Sequence, residues 1–352
     1  MNLQDKIRGC FIGGTIGDAL GYPVEFHDYQ RIIQKHGPEG ITSYTLSPYT
    51  GTAVISDDTQ MTLFTATGLL WDDPTPIRQR VLQAYLGWLY TQEGSYCKEN
   101  RIPDGSPAQA SGYLRDVPQL YICRAPGMTC LSGLRLRRRQ MQAGETVADF
   151  LAQPINQSKG CGGVMRVAPM GLSQALTDPD ARALEGAQLA AITHTHSLGY
   201  IPAAALTHMI AMLAHDRADL KTAVTDARNR METLFAGDPF LGEMTNILNA
   251  AITLAENDRP DVENIDTLGE GWVAEEALAI AVYCCLRHPE DFSAAIIAAV
   301  NHKGDSDSTG AIAGNIMGTL LGYSRIDPRW LSDLELHDQI LQLADDFFAT
   351  KA

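Results

Sequence analysis

Ser56-Asp57-Asp58-Thr59 and Asp305-Ser306-Asp307-Ser308-Thr309 set carboxylates and hydroxyls side by side at two distant places in the chain, each at a predicted helix start. Hard divalent cations take such all-oxygen donor sets. Carboxylates crowded together repel one another unless a cation neutralises them, so a fold that joins the two clusters favours a bound metal. Taken singly, each cluster equally suits helix capping, in which Ser or Asp accepts backbone N–H groups and acidic residues complement the helix dipole. A local calcium loop is excluded. Asp305, Asp307, Thr309 and Gly310 match the first half of an EF-hand, but its twelfth position is Ile316, where a bidentate Glu is required.

The elements that must position these groups are helices. Apolar residues recur at three- and four-residue spacing through 59–71, 78–90, 184–193, 203–214, 241–255, 272–286, 291–301 and 309–322, and few runs alternate with period two. Pro and Gly punctuate the intervals 37–51, 101–107, 118–127, 154–163 and 256–271, none of them a low-complexity linker. The pattern predicts an all-α fold, with residues 1–352 forming one compact many-helix domain. Gly9, Gly13, Gly17 and Gly21 fall every fourth residue, as do Gly310, Gly314, Gly318 and Gly322. On helices each set is a bare stripe along one face. Interior Gly costs about 1 kcal/mol relative to Ala, so two stripes imply a compensating close approach of backbones; loops over 9–21 are the alternative. The segment Gly13-Gly14-Thr15-Ile16-Gly17 lacks full GxGxxG spacing and a preceding strand, which excludes a dinucleotide loop.

Composition narrows the function. The 352 residues are 45% hydrophobic, ample for a large core, and 27 basic against 42 acidic side chains give a formal charge of −15. That balance excludes an extended nucleic-acid surface and suits cationic partners or a bound cation. The seven cysteines are scattered without a CxxC pair, which argues against a zinc ribbon or disulfide framework and predicts a reducing, cytoplasmic setting. The N-terminus lacks a secretory signal pattern, and the apolar stretches near 201–214 and 309–322 read as shorter than a membrane span. No membrane association is expected.

Read together, Gly17-Asp18-Ala19-Leu20-Gly21 leading to Glu25, Ser56-Asp57-Asp58-Thr59-Gln60-Met61, Gly160-Cys161-Gly162-Gly163-Val164-Met165-Arg166, Thr193-His194-Thr195-His196-Ser197 and Gly304-Asp305-Ser306-Asp307-Ser308-Thr309-Gly310 resemble the ADP-ribosylglycohydrolase family. The resemblance runs from residue 9 to 322, and the two acidic clusters are its most specific parts. It implies an all-helical domain with a binuclear Mg²⁺ site, Mn²⁺ being an alternative ion, that releases ADP-ribose from a modified side chain. The matching metal ligands are Ser56, Asp57, Asp58, Asp305, Asp307 and Ser308, with Thr59 and Thr309 as neighbours. Glu25, Asp58 and Asp305 are the candidate catalytic carboxylates. Gly160, Cys161, Gly162 and Gly163, with His194 and His196, are the candidate substrate contacts.

Several of these positions admit two readings. Glu25 is a general acid/base or metal-linked carboxylate in one and a solvated surface glutamate in the other. Asp18 suits a structural carboxylate bonded to backbone. The glycine loop offers unobstructed N–H groups for a pyrophosphate or ribose, although Cys161 replaces an Asn common in relatives. Arg166 suits either a phosphate contact or a structural ion pair. His194 and His196, two apart, would point to opposite sides of a continuous helix, so one at most faces a ligand while the other caps or packs. Arg135, Arg137, Arg138 and Arg139 read as a solvated helix face rather than a phosphate clamp. The Arg124-Ala125-Pro126-Gly127-Met128-Thr129-Cys130 segment resembles a loop of the arginine-directed branch. No aspartate stands between Val117 and Gln140, the nearest being Asp104 and Asp116.

The resemblance therefore implies hydrolysis of ADP-ribosyl-arginine on a modified protein. One alternative is an immunity or binding protein that sequesters a cognate ADP-ribosyltransferase. A second is a binuclear-metal nucleotide phosphohydrolase.

Overall fold

Two helices that carry the glycine stripes lie against each other in the middle of the protein. In this computed structural model, which describes residues 2–94 and 107–350, α1 (Leu3–Gly21) is the first of fifteen α-helices among the described residues. It is followed by α2 (Tyr29–His36), α3 (Asp57–Leu70), α4 (Ile77–Glu93), α5 (Met128–Gln142), α6 (Ala168–Leu172), α7 (Pro179–Ala191) and α8 (Ser197–Ala211). The remainder are α9 (Leu220–Leu234), α10 (Leu241–Leu254), α11 (Asp261–Leu268), α12 (Ala274–Arg287), α13 (Phe292–Val300), α14 (Ser306–Leu321) and α15 (His337–Ala349). Extended pairing among the described residues is limited to the isolated bridges Ala53–Leu334 and Gly160–Val273.

α1 and α14 run antiparallel with their backbones in contact. A Cβ placed on Gly9 would stand 2.1 Å from the Gly318 carbonyl oxygen, on Gly13 2.3 Å from that of Gly314, on Gly17 1.9 Å from that of Gly310, and on Gly21 2.3 Å from that of Ser306. The stripe is therefore helical along its whole length, and the loop alternative for 9–21 is overturned. Asn315 fixes the register by donating its side-chain amide to the Cys10 carbonyl at 2.9 Å. On the outer sides of this pair α15, α13 and α12 pack against it, with Ile7, Ile12, Ile16, Ile312 and Ile316 fully buried.

The eight periodic stretches all fall on helices: α3, α4, α7, α8, α10, α12, α13 and α14. The structure adds α9 and α15, whose buried positions (Leu220, Ala223, Val224, Ala227 and Met231; Ile340, Leu343, Ala344 and Phe347) follow the same spacing with a heavily polar outer face. It also places α11 inside the 256–271 interval, started by Pro260 and ended by Gly269 at φ 128°. α8 continues through a wider turn, so that Ser197–Asp216 forms 20 helical residues with mean hydropathy 1.4. That exceeds the shorter apolar stretch expected from sequence and is long enough to cross a membrane, but 83% of the window is buried within the protein.

Gly17→Ala and Gly314→Val each drive a side-chain carbon into a facing backbone carbonyl. We expect each to lower stability by about 3 kcal/mol or more, the upper end of overpacking penalties, measured by urea denaturation. A substitution at Gly242, whose Cβ would meet nothing within 4 Å, serves as the control and should leave the midpoint nearly unchanged.

Candidate active site

Because α1 and α14 are antiparallel, the C-terminal end of α1 meets the N-terminal end of α14, and α3 begins beside both. Asp18, buried at the end of α1, is the joint. Its carboxylate accepts the Ser56 N–H at 3.0 and 3.1 Å, the Thr59 N–H at 3.1 Å and the Thr59 hydroxyl. These are free donors of the first turn of α3, so Asp18 caps that helix from across the chain. Ser56 also caps locally, its Oγ accepting from the Asp58 N–H at 3.2 Å.

A second clamp holds the residue ahead of the first cluster. The Arg124 guanidinium makes a two-pronged ion pair with Glu335, with Nη2–Oε1 at 2.9 Å, and both side chains are buried. Arg124 donates to the Ile55 carbonyl at 2.9 Å while Glu335 accepts the Ile55 N–H at 3.1 Å. Past Ala125, held at φ 50°, the Gly127 N–H donates to Asp57 Oδ2 at 3.2 Å. The 124–130 loop thus orients a cluster carboxylate through its backbone. Of the two aspartates outside that loop, Asp104 lies outside the described residues.

On the other side, Gly304 stands at φ 120°, where a Cβ would lie 2.0 Å from the Glu270 carbonyl oxygen. Only glycine fits both constraints. The turn lets the Asp305 N–H reach that carbonyl at 2.8 Å and delivers Asp305, Asp307 and Ser308 to the start of α14. Thr309 turns inward, donating to the Ala299 carbonyl at 2.7 Å.

The two clusters meet across a cleft of about 210 Å³. Glu25, Asp57, Asp58, Asp305, Asp307 and Ser308 line it, and no Lys or Arg does. Carboxylate oxygens of Glu25, Asp305 and Asp307 lie within 4.8 Å of one another, close enough to share one cation. Glu25 is only 7% exposed, so the solvated-glutamate reading is overturned. Its Oε2 and Asp58 Oδ2 are buried without a hydrogen-bond partner, and such atoms in a carboxylate cluster are what a hard cation satisfies. The donor set therefore fits divalent metal. Burial, and then the charges of Asp307, Asp305 and Asp57, raise the Glu25 carboxyl to about 10, while burial and Asp307 raise Asp18 to about 7. Asp57, Asp58, Asp305 and Asp307 are all raised, burial again being the first cause.

The glycine loop closes the floor. Gly160, Cys161 and Gly162 line the cleft, whereas Gly163 lies behind it against Ala190 and the Gly199 carbonyl. Two N–H groups of the expected nest are already used: Gly160 donates to Ser158 Oγ at 3.4 Å and Cys161 to the Trp272 carbonyl at 3.2 Å. Gly162 has a different necessity, since its Cβ would stand 2.7 Å from Cys130 Sγ and 2.9 Å from His194 Cε1. Cys161 Sγ reaches Asp305 Oδ2 at 2.7 Å, and Ser308 Oγ reaches the same sulfur at 3.5 Å.

His194 lines the cleft and His196 does not. Instead His196 precedes α8, where its Nδ1 accepts the Leu198 N–H at 3.1 Å and its ring packs on Phe240. The chain from His194 to His196 is irregular and lies outside any helix, so the two rings are not set by helix faces. Arg166 is fully buried and contacts neither phosphate space nor a carboxylate. Its guanidinium lies 4.3 Å over the Tyr85 ring and donates to Thr193 Oγ1 at 2.7 Å. The Thr193 hydroxyl hydrogen then goes to His194 Nδ1, at 2.9 Å, which leaves Nε2–H as the donor facing the cleft. Burial, and then Arg166, push His194 down to about 3, so it is neutral. Of the basic run, Arg139 is exposed and Arg135 and Arg138 pair with Glu93 on a partly exposed face, whereas Arg137 departs from the expected solvated face and is buried on the Ile192 carbonyl and the Phe150 ring.

An all-helical fold whose central helix pair joins two acidic clusters at a glycine-floored cleft defines a class of protein with a carboxylate-rich site suited to hard cations. The sequence profile of ADP-ribosylglycohydrolase matches residues 1–352, and the chain belongs to that family of glycohydrolases acting on ADP-ribose linkages. It is 25% identical over 342 residues to the ADP-ribosyl-[dinitrogen reductase] glycohydrolase of Rhodospirillum rubrum, covering 95% of this chain and 92% of that one. To the ADP-ribosylhydrolase ARH3 of Mus musculus it is 26% identical over 369 residues, covering 94% and 87%. A solved ADP-ribosylglycohydrolase-related protein complex superposes with a TM-score of 0.68 at 22% identity, over 100% of this chain and 99% of that one, and shows the same fold.

A carboxyl raised in the folded state holds its proton more tightly folded than unfolded, so metal-free stability falls as pH rises toward the folded value. For Asp18 the window runs from 3.8 to about 7, and for Glu25 from 4.5 to about 10. Without divalent cation, the melting temperature should therefore drop between pH 6 and pH 8. Saturating Mg²⁺ should reduce that drop, since a bound cation removes the like-charge part of the shift; differential scanning fluorimetry reads both arms.

Proposed function

We propose that the chain hydrolyses the N-glycosidic bond between ADP-ribose and an arginine side chain on a modified protein, with Mg²⁺ as cofactor and Mn²⁺ as an alternative ion. The observation that carries this reading is the charge of the cleft: five carboxyl groups line it and no cationic side chain does. A divalent metal answers part of that deficit, and a modified guanidinium answers more of it. A serine linkage brings no positive charge.

Asp57, Asp58, Asp305, Asp307 and Ser308 would hold the ions, with Glu25 in reach of Asp305 and Asp307, whereas Ser56, the sixth ligand expected from sequence, does not line the cleft and caps α3. When bound, the ions would supply a positive field that grips ribose hydroxyls and acidifies water. The cleft, at about 210 Å³, is smaller than the roughly 300–1,000 Å³ of whole-ligand pockets. It suits the reacting ribose, with the rest of ADP-ribose over the rim. His194 Nε2–H faces that ribose as a neutral donor.

As the C1″–N bond breaks, its electron pair passes to the guanidine and positive charge gathers at C1″, beside carboxylates that stabilise it. With a cation offsetting the neighbouring carboxylates, Glu25 would stand as a carboxylate able to take a proton from the water that attacks C1″ and return it to the departing guanidine. The products are ADP-ribose and an arginine guanidinium, with no net proton exchanged. A guanidinium thus leaves as a neutral base, whereas a serine alkoxide must be protonated on departure.

Arginine- and serine-linked ADP-ribosyl proteins, prepared separately and incubated with and without Mg²⁺, test the reading. Hydrolysis of the arginine linkage should be at least about tenfold faster, a barrier difference of about 1.4 kcal/mol, with release of ADP-ribose rather than AMP. Asp307→Asn should reduce turnover by about a hundredfold or more, or about 2.7 kcal/mol, without lowering the metal-free melting temperature. Equal rates on the two linkages would overturn the arginine assignment; AMP as product would overturn glycoside cleavage.

A further inference from the structure

Beside the carboxylate cleft the protein exposes aromatic surface that the chemistry above does not use. Phe26 follows Glu25 directly and is 71% exposed. Its ring stacks on that of Trp272, with centroids 5.6 Å apart and planes inclined by 20°. Trp272 itself lines the cleft and is 37% exposed. Its position is built rather than incidental. The Trp272 carbonyl accepts the Cys161 N–H at 3.2 Å, the next residue bridges to Gly160, and Gly271 at φ 83° packs against Asp305 and Thr309. The indole is therefore referenced to the glycine floor and to the second acidic cluster together. An aromatic pair left open at a site whose charge is wholly negative has one natural occupant, a planar cation that can lie on a ring face while its charge meets the carboxylates.

We propose that Phe26 and Trp272 form the platform that receives the guanidinium of the modified arginine and sets the linkage specificity, an assignment that rests on the arginine reading above. The adenine of the same substrate is the competing aromatic ligand, and covalent structure places it far from this spot. Two phosphates and a second ribose separate the base from C1″, whereas the guanidine is bonded to C1″ directly. Glu25, the immediate neighbour of Phe26, marks this as the reacting end. A guanidinium on the ring faces keeps toward Glu25 the nitrogen that receives the C1″–N electron pair and then the proton, so the platform selects and aligns the leaving group while the carboxylates act on C1″.

The test compares wild type with Phe26→Leu, Trp272→Leu and Trp272→Tyr, each checked for a native melting temperature. Values of kcat/KM are measured on arginine- and serine-linked ADP-ribosyl peptides with saturating Mg²⁺, together with the affinity for free ADP-ribose by calorimetry. The arginine-to-serine ratio should fall by about tenfold in each Leu variant, in line with loss of a desolvated cation–π contact. It should largely recover in Trp272→Tyr, and ADP-ribose affinity should stay within about twofold. An unchanged ratio in a wild type that prefers arginine would overturn the platform alone. ADP-ribose affinity falling in step with the ratio would also overturn it, since the rings would then hold the shared part of the substrate. A wild type that prefers serine would overturn the arginine reading and the platform with it.

Discussion

The site depends on two helix backbones in direct contact. α1 and α14 approach so closely that each glycine Cβ along the seam would fall 1.9–2.5 Å from a facing carbonyl oxygen. At that distance neither helix can slide or rotate without a clash, because the atoms that would collide are backbone and have no rotamers to yield. The seam therefore sets where Asp18 and Glu25 stand relative to Asp305 and Asp307. Helix propensity is given up at seven interior glycines, and the return is positional accuracy at the two helix ends where the carboxylates lie.

Accuracy matters there because the carboxylates oppose one another. Burial raises Asp18, Glu25, Asp57, Asp58, Asp305 and Asp307, like-charge repulsion adds to it at all of them but Asp307, and an unconstrained chain would relieve that repulsion by moving them apart. The clamps prevent it. Asp18 holds the start of α3, Arg124 and Glu335 grip both backbone groups of Ile55, and Gly304 ties Asp305 to Glu270. Each clamp acts through main chain, which leaves carboxylate oxygens such as Glu25 Oε2 and Asp58 Oδ2 free for a ligand.

What the sequence shows and what it hides divide along the same line. The stripes are legible because glycine at every fourth position is unfavourable in a helix without a reason, and the acidic clusters because their donor types suit one kind of partner. Both signals are local. Asp18 is legible only as a structural carboxylate; that it caps α3 depends on which helix arrives above it. His196 and Arg166 sit within family motifs and still take structural roles, one capping α8 and the other ordering Thr193 and His194. Gly162 fits a phosphate nest by sequence, but its bareness answers Cys130 and His194. The helices α9 and α15 carry the right spacing in few apolar residues, and Pro260 and Gly269, which mark a loop in sequence, instead bound α11.

Arg124, Arg166 and Arg137 are all buried, and none of them neutralises a cleft carboxylate. Arg124 is matched to Glu335, Arg166 to a ring face, sulfur and oxygen acceptors, and Arg137 to backbone carbonyls and Phe150. A fold selected only for stability would let at least one of them pair with Asp57 or Asp307, since an uncompensated buried charge is among the most destabilising features a core can hold. Directing these guanidinium groups to partners outside the cleft preserves its negative field. That field is then available to cations from outside the chain, a metal at the clusters and, on the reading advanced here, the guanidinium of a modified arginine at the Phe26–Trp272 edge.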